Sequence, residues 1–184
     1  MTGDFGATEA PDSSSGRWLG LFPTSHGFQV KEARVRVVDS SGISVLTDQP
    51  EDPVFLFRGI PSIHESDIKT LFQGDMFLEP SQEIEFDLSE ENHYIVHAGE
   101  EDSLYLVSIE HDLTYQDIAR ISDMDEENEP HILWIGDLDQ DNKIDFFVYL
   151  PDGRYGGKFV LYLSSYADPG NLFNEVATFE IQGD

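Results

Sequence analysis

Four aspartates, Asp137, Asp139, Asp141 and Asp145, fall within "WIGDLDQDNKIDFF", one of the most apolar stretches of the chain. Their spacing is D-x-D-x-D-x-x-x-D, with carboxylates at positions 1, 3, 5 and 9 and Lys143 at position 7. In a tightly wound loop that spacing aims the four side chains and the Lys143 main-chain carbonyl at one point, the oxygen-rich geometry of a hard-cation site. The Lys143 ammonium then points away. Leu138 and Ile144, at positions 2 and 8, face the opposite side and anchor the loop on a core.

Carboxylates gathered in this way repel one another. At about 5 Å each pair costs roughly 3 kcal/mol at an effective dielectric near 20, and a cation removes that cost. Calcium is the expected ion, because it accepts irregular shells of about six to eight oxygens, whereas magnesium demands near-ideal octahedral geometry. Zinc wants imidazole or thiolate close by, and the chain has no cysteine. The loop is not an EF-hand: position 12 is Val148 rather than a bidentate glutamate, and "FFVYLP" reads as a strand. Position 6 is Asn142, the residue after glycine best able to adopt the left-handed conformation that the turn needs. Without the position-12 clamp, the expected affinity is roughly micromolar to millimolar, and the ion's role mainly structural. The same run is also compatible with a solvated acidic turn, since aspartate favours turns.

The segment "ILWIGDLDQDNKIDFFVYL" resembles the calcium loops of FG-GAP and VCBS-type repeats, whose core reads G-D-x-D-x-D-G-x-x-D between two strands. The following "KFVLYLSSYADPGNLFNEVATFE" looks like the tail of uncharacterised bacterial proteins that carry a single such loop. The resemblance covers residues 131 to 180. It implies side-chain ligation by Asp137, Asp139, Asp141 and Asp145, and carbonyl ligation by Lys143. Asn142 and Gln140 stand where the family often has glycine. FG-GAP repeats build propellers from several copies, and one copy cannot, so the resemblance implies a metal site rather than an architecture or an activity.

The elements that must position this loop are short and strand-like. "FQVKEARVRVVD" (28–39) alternates, with Val35 and Val37 on one face and Arg34 and Arg36 on the other. "PVFLFRGI", "EIEFDL", "HYIVHAG", "SLYLVSIEHD", "ILWIGD", "DFFVYLP", "KFVLYLSS" and "VATFEI" follow, rich in β-branched and aromatic residues. Turn chemistry separates them at Ser41-Gly42, Asp152-Gly153, Gly156-Gly157 and Asp168-Pro169-Gly170. Two stretches are candidate short helices, "SDIKTLF" (66–72) and "TYQDIARI" (114–121). The pattern predicts an all-β fold with minor α content, an antiparallel sandwich or barrel holding a strand-loop-strand calcium site.

With 184 residues, 39% of them hydrophobic, the chain can bury a core without staples. Residues 1–16, "MTGDFGATEAPDSSSG", read as a flexible lead, and 17–184 as a single β-rich domain. The lead has no basic or apolar region of a signal peptide, and no run is long enough for a membrane helix. The chain reads as cytoplasmic, or as periplasmic or extracellular if a signal has been removed. Against 37 acidic residues stand 10 basic ones, a formal charge of -27. That charge argues against nucleic acid and anionic lipid, and favours cations or a basic protein partner.

Other groupings carry less. "SDMDEENEP" (122–130) could extend the metal site or form an acidic patch, though a solvated hairpin tip is the default. His93 and His97 have a zinc spacing for a helix, but on the strand that surrounds them they would lie about 13 Å apart. Ser164-Ser165 lacks a G-x-S-x-G elbow and an assignable base. Trp134 and Tyr149 are candidate glycan-stacking aromatics that fit a core better. The expectation is a non-enzymatic, calcium-binding β-rich module, with an acidic inhibitor or immunity-type protein docking on a toxin or nucleic-acid enzyme as the alternative.

Overall fold

The computed structural model describes residues 4–5, 17–39, 43–102, 104–122, 129–152 and 156–181. Apart from Asp4 and Phe5, the lead expected over 1–16 lies outside the described residues, as do 123–128 of the acidic "SDMDEENEP" and the Ser41-Gly42 turn. The described chain is all-β and antiparallel. Its strands are accompanied by one 3₁₀ turn, Ser164–Tyr166, and by no α-helix among the described residues. Among the described residues no helix is long and apolar enough to cross a membrane. The chain divides into two compact units, Met1–Lys69 and Thr70–Asp184.

In the first unit, β1 (Asp4–Phe5), β4 (Arg36–Asp39) and β5 (Ile43–Leu46) form a small sheet in the order β1-β5-β4. A second sheet runs β6-β2-β3, from β2 (Trp18–Thr24), β3 (Gly27–Ala33) and β6 (Phe55–Arg58), and β3 continues the order onto the start of β7 (Ser66–Phe77). The single alternating strand expected over 28–39 is two strands. The break falls at Arg34 and Val35, and the Arg34 N–H donates to the side-chain Oδ1 of Asp48 at 2.8 Å. Leu19, Leu21, Phe22, Val30, Phe55 and Phe57 are buried here. Gly20 sits among them because a Cβ would meet the Phe22 ring at 2.7 Å and Leu56 at 2.9 Å.

The second unit is a β-sandwich. One sheet has the order β11-β10-β9-β8, from β8 (Glu83–Ser89), β9 (Asn92–Glu101), β10 (Leu104–His111) and β11 (Thr114–Ser122). The other is a meander of β12 (His131–Asp137), β13 (Asp145–Pro151), β14 (Gly157–Leu163) and β15 (Asn174–Ile181), with β7 beside β12. Alternation decides the faces. Tyr94, Val96 and Ala98 of β9 and Tyr105, Val107 and Ile109 of β10 point inward, into one core with Ile132, Ile135, Phe146, Val148, Val160, Tyr162 and Phe173. Phe146 and Phe173 meet edge to face, with ring centroids 5.0 Å apart.

Both stretches offered as short helices are strands. Over "SDIKTLF" the period of 2 continues to Phe77: Ile68, Thr70, Phe72 and Met76 turn inward while Asp67, Lys69, Gln73 and Asp75 are exposed. A seven-residue window is too short to separate that alternation from a helical face. In "TYQDIARI" the deceptive signal is Ile118 and Ile121, three apart. The register slips beside Val107 and Ser108, which pair with Ala119 and Asp117 and leave Ile118 as the extra residue of a β-bulge.

Candidate metal centre

The loop 138–144 joins β12 to β13, two buried strands that pair through Gly136 and Asp145. Leu138 and Ile144 are fully buried, so both ends of the loop are fixed by the core while its middle turns outward. The turn takes Gln140 and Asn142 through the left-handed region, each at φ 64. Asparagine tolerates that conformation better than other side chains, while glutamine has no such preference.

Three of the four aspartates are brought together. Asp137, Asp139 and Asp145 each offer a carboxylate oxygen, and these oxygens lie within 4.8 Å of one another. Asp141 is outside that set. Its Oδ1 accepts the Lys143 N–H at 2.9 Å, and the Ser164 hydroxyl lies 3.2 and 3.0 Å from its Oδ1 and Oδ2. The Lys143 side chain is exposed.

Each carboxylate has its own electrostatic setting. Asp145 is fully buried. Its Oδ2 accepts the Leu138 N–H at 2.7 Å and its Oδ1 the Ser164 N–H at 3.0 Å. Burial pushes its carboxyl well above the ordinary 3.8 despite these bonds, and Asp139 and Asp141 add to the effect. Asp137 is raised for the same leading reason, offset in part by the Asn142 N–H that its Oδ2 accepts at 3.1 Å. Asp137 Oδ1 and Asp139 Oδ1 are buried and have no hydrogen-bond partner. Such orphaned acceptors are rare in folded proteins and ask for an explanation.

Four side chains from outside the loop hold it in place. The Asn92 side-chain amide donates to the Asn142 carbonyl at 2.8 Å, and the Tyr94 hydroxyl bonds the backbone of Ile144. Burial takes the Tyr94 phenol to about 12, so it remains neutral. From the end of β14, Ser164 contacts Asp141 and Asp145, and the Ser165 hydroxyl donates to Asp139 Oδ2. The Ser164-Ser165 pair, which carries no nucleophile signature, forms a wall of the loop.

The remaining candidates are placed as follows. His93 and His97 are on β9 and engage carboxylates. His93 Nδ1 is 2.7 Å from Asp87 Oδ1, and the two ring nitrogens of His97 face Glu83 at 3.2 Å and Glu110 at 3.1 Å. Trp134 is fully buried and its indole N–H donates to Thr70 Oγ1 at 3.0 Å, so it offers no glycan platform. Tyr149 is partly buried, with its ring beside those of His131 and Phe159. In the first unit an open groove of about 680 Å³ is lined by Thr24, His26, Gln29, Lys31, Glu51 and Asp67, and its Gln29 amide is already bonded to Asp67.

A scan against protein-family models finds no match to the chain, and searches of curated proteins and of solved structures find none either. The likeness to FG-GAP and VCBS loops therefore rests on the residues of the loop itself.

Proposed function

We propose that the 137–145 loop binds one calcium ion and that the protein is a calcium-stabilised, non-enzymatic β-rich binding module. The observation that carries this reading is the pair of orphaned oxygens, Asp137 Oδ1 and Asp139 Oδ1, on carboxylates gathered with that of Asp145 inside 4.8 Å. Each anionic pair at that separation costs about 3 kcal/mol at an effective dielectric near 20, and no side-chain cation in the loop offsets it. A divalent ion supplies both the missing charge and the partner for the unpaired oxygens. Asp137, Asp139 and Asp145 would supply side-chain oxygens, with Asp141 and the Lys143 carbonyl completing the shell. Calcium suits this all-oxygen, irregular donor set.

The reading is tested by titrating metal-free protein with calcium in a calorimeter and by melting it with and without the ion. At about 100 times Kd, binding to the native state adds about 2.7 kcal/mol, a rise of about 5–10 °C in a chain of this size. Asp139→Ala removes the rise. A calcium effect of equal size in Asp139→Ala would overturn the assignment.

A second reading, docking on a basic protein, is favoured by the outer face of the β8-β9-β10 sheet. Glu83, Glu85, Asp87 and Glu110 share that face, in a chain of net charge -27. Charge of this kind speeds association and makes it depend on salt. Retention of a captured partner that is indifferent to 0.5 M salt would argue against it.

A further inference from the structure

Ser164 is buried, and its hydroxyl lies 3.2 and 3.0 Å from the two oxygens of Asp141 and 3.2 Å from Asp145 Oδ1. A hydroxyl carries one hydrogen. Whichever oxygen receives it, the others face oxygen lone pairs at close range, and the surplus of negative charge has to be met by something else. The adjoining Ser165 hydroxyl donates to Asp139, so two successive side chains of the 3₁₀ turn bond aspartates of a loop more than 20 residues earlier. Inside the same loop, Asp137 is nine-tenths buried and its Oδ1 is unpartnered.

Resting on the calcium reading above, we infer that Ser164 is a positioning residue of the cation site, and that the ion fastens the β12–β13 loop to the turn after β14. The Ser164 hydroxyl holds the Asp141 carboxylate, the one aspartate of the pattern outside the gathered set, in the wall that separates it from Asp145. Its backbone N–H donates to Asp145 Oδ1 at 3.0 Å. A cation drawing Asp141, Asp139 and Asp145 inward leaves each of them an outer oxygen for a serine donor, which is how groups one bond removed from a metal orient its ligands. The effect of losing such a group is about 10-fold to 100-fold in metal affinity.

The experiment measures calcium affinity by chelator competition in wild-type protein, Ser164→Ala and Ser164→Thr. It also follows amide hydrogen exchange of the wild type with and without calcium. Expected are a loss of at least about tenfold in Ser164→Ala, recovery in Ser164→Thr, and slower exchange at 164–166, outside the loop, when calcium is added. Tight binding in the wild type with unchanged affinity in Ser164→Ala overturns the role of Ser164 and leaves the calcium reading standing. No binding in the wild type overturns both. If Ser164→Ala does not fold, the wild-type exchange decides: protection confined to 137–145, with 164–166 unaltered, overturns the inference.

Discussion

Asp145 Oδ1 accepts the Ser164 N–H at 3.0 Å, and the Ser164 hydroxyl lies 3.2 Å from the same oxygen. The first residue of β13 is thereby tied to the residue that follows β14. A buried carboxylate with backbone donors on both oxygens is well fixed, yet the charge it brings remains. Asp145 therefore contributes order and electrostatic tension to the same loop, and its neighbours reveal which dominates.

Asp137→Asn separates the two. The amide oxygen can still accept the Asn142 N–H, while the unpartnered Oδ1 becomes an NH₂ group without charge. Metal-free protein should become more stable, because the substitution removes the charge that burial and the neighbouring Asp141 and Asp139 oppose. The calcium-induced rise in melting temperature should disappear. Melting both proteins in chelator and in calcium checks this, and a destabilised metal-free variant would contradict it.

The pH dependence follows from the raised carboxyls of Asp137 and Asp145. A group whose folded pKa exceeds its unfolded value binds its proton more tightly in the native state, so its stabilising contribution is full below the unfolded value of 3.8 and is lost as pH rises through the folded value. Metal-free protein should become more stable as pH falls from 7 toward 4. Calcium-loaded protein should lose its advantage over the same interval, because protons compete for the ligand oxygens. Melting curves at half-unit steps test this, and Asp137→Asn should flatten the metal-free slope.

Asn142 probes the turn. Its φ of 64 is in the left-handed region, and its N–H and carbonyl are engaged by Asp137 and Asn92. Asn142→Gly keeps both bonds and should leave stability within about 0.5 kcal/mol. Asn142→Val, β-branched at positive φ, should cost about 1–2 kcal/mol and weaken calcium binding. Equal effects of the two substitutions, measured by urea denaturation and titration, would count against backbone strain as the cause.

Asn92→Ala tests the support from β9. Losing the 2.8 Å bond to the Asn142 carbonyl should cost about 1 kcal/mol. Because that bond steadies a carbonyl next to the one expected to bind the ion, calcium affinity should fall together with stability. An unchanged affinity would show that the loop holds its form without β9.

Much of this was legible in the residues. Alternation and turn chemistry give the strand-rich fold. Leu138 and Ile144 announce a loop fixed at both ends, because an apolar residue between aspartates has little other use. What the residues conceal is contact across sequence. Nothing near Asn92 or Ser164 marks them as neighbours of the loop, since 50 and 19 residues respectively separate them from the groups they touch. The gathering of three aspartates without Asp141 is equally invisible, because identical side chains at regular spacing differ only in which donors reach them. The bulge that leaves Ile118 unpaired defeats periodicity for the same reason: an extra residue is a property of the pair of strands, not of either alone.

The edges of the sandwich give the acidic composition a further consequence. Among the described residues β8 and β15 have neighbours on one side only, and they carry Glu83, Glu85 and Asp87, and Glu175 and Glu180, respectively. Open strands invite pairing with the open strands of another copy, the route to edge-to-edge aggregation, and like charges along them prevent it. Two copies approaching through these edges bring carboxylates face to face. At neutral pH the surplus of acid thus works as a guard on colloidal solubility, whatever partner the protein has. Concentrated salt or acid lowers that guard and leaves the hydrogen-bonding edges open to one another.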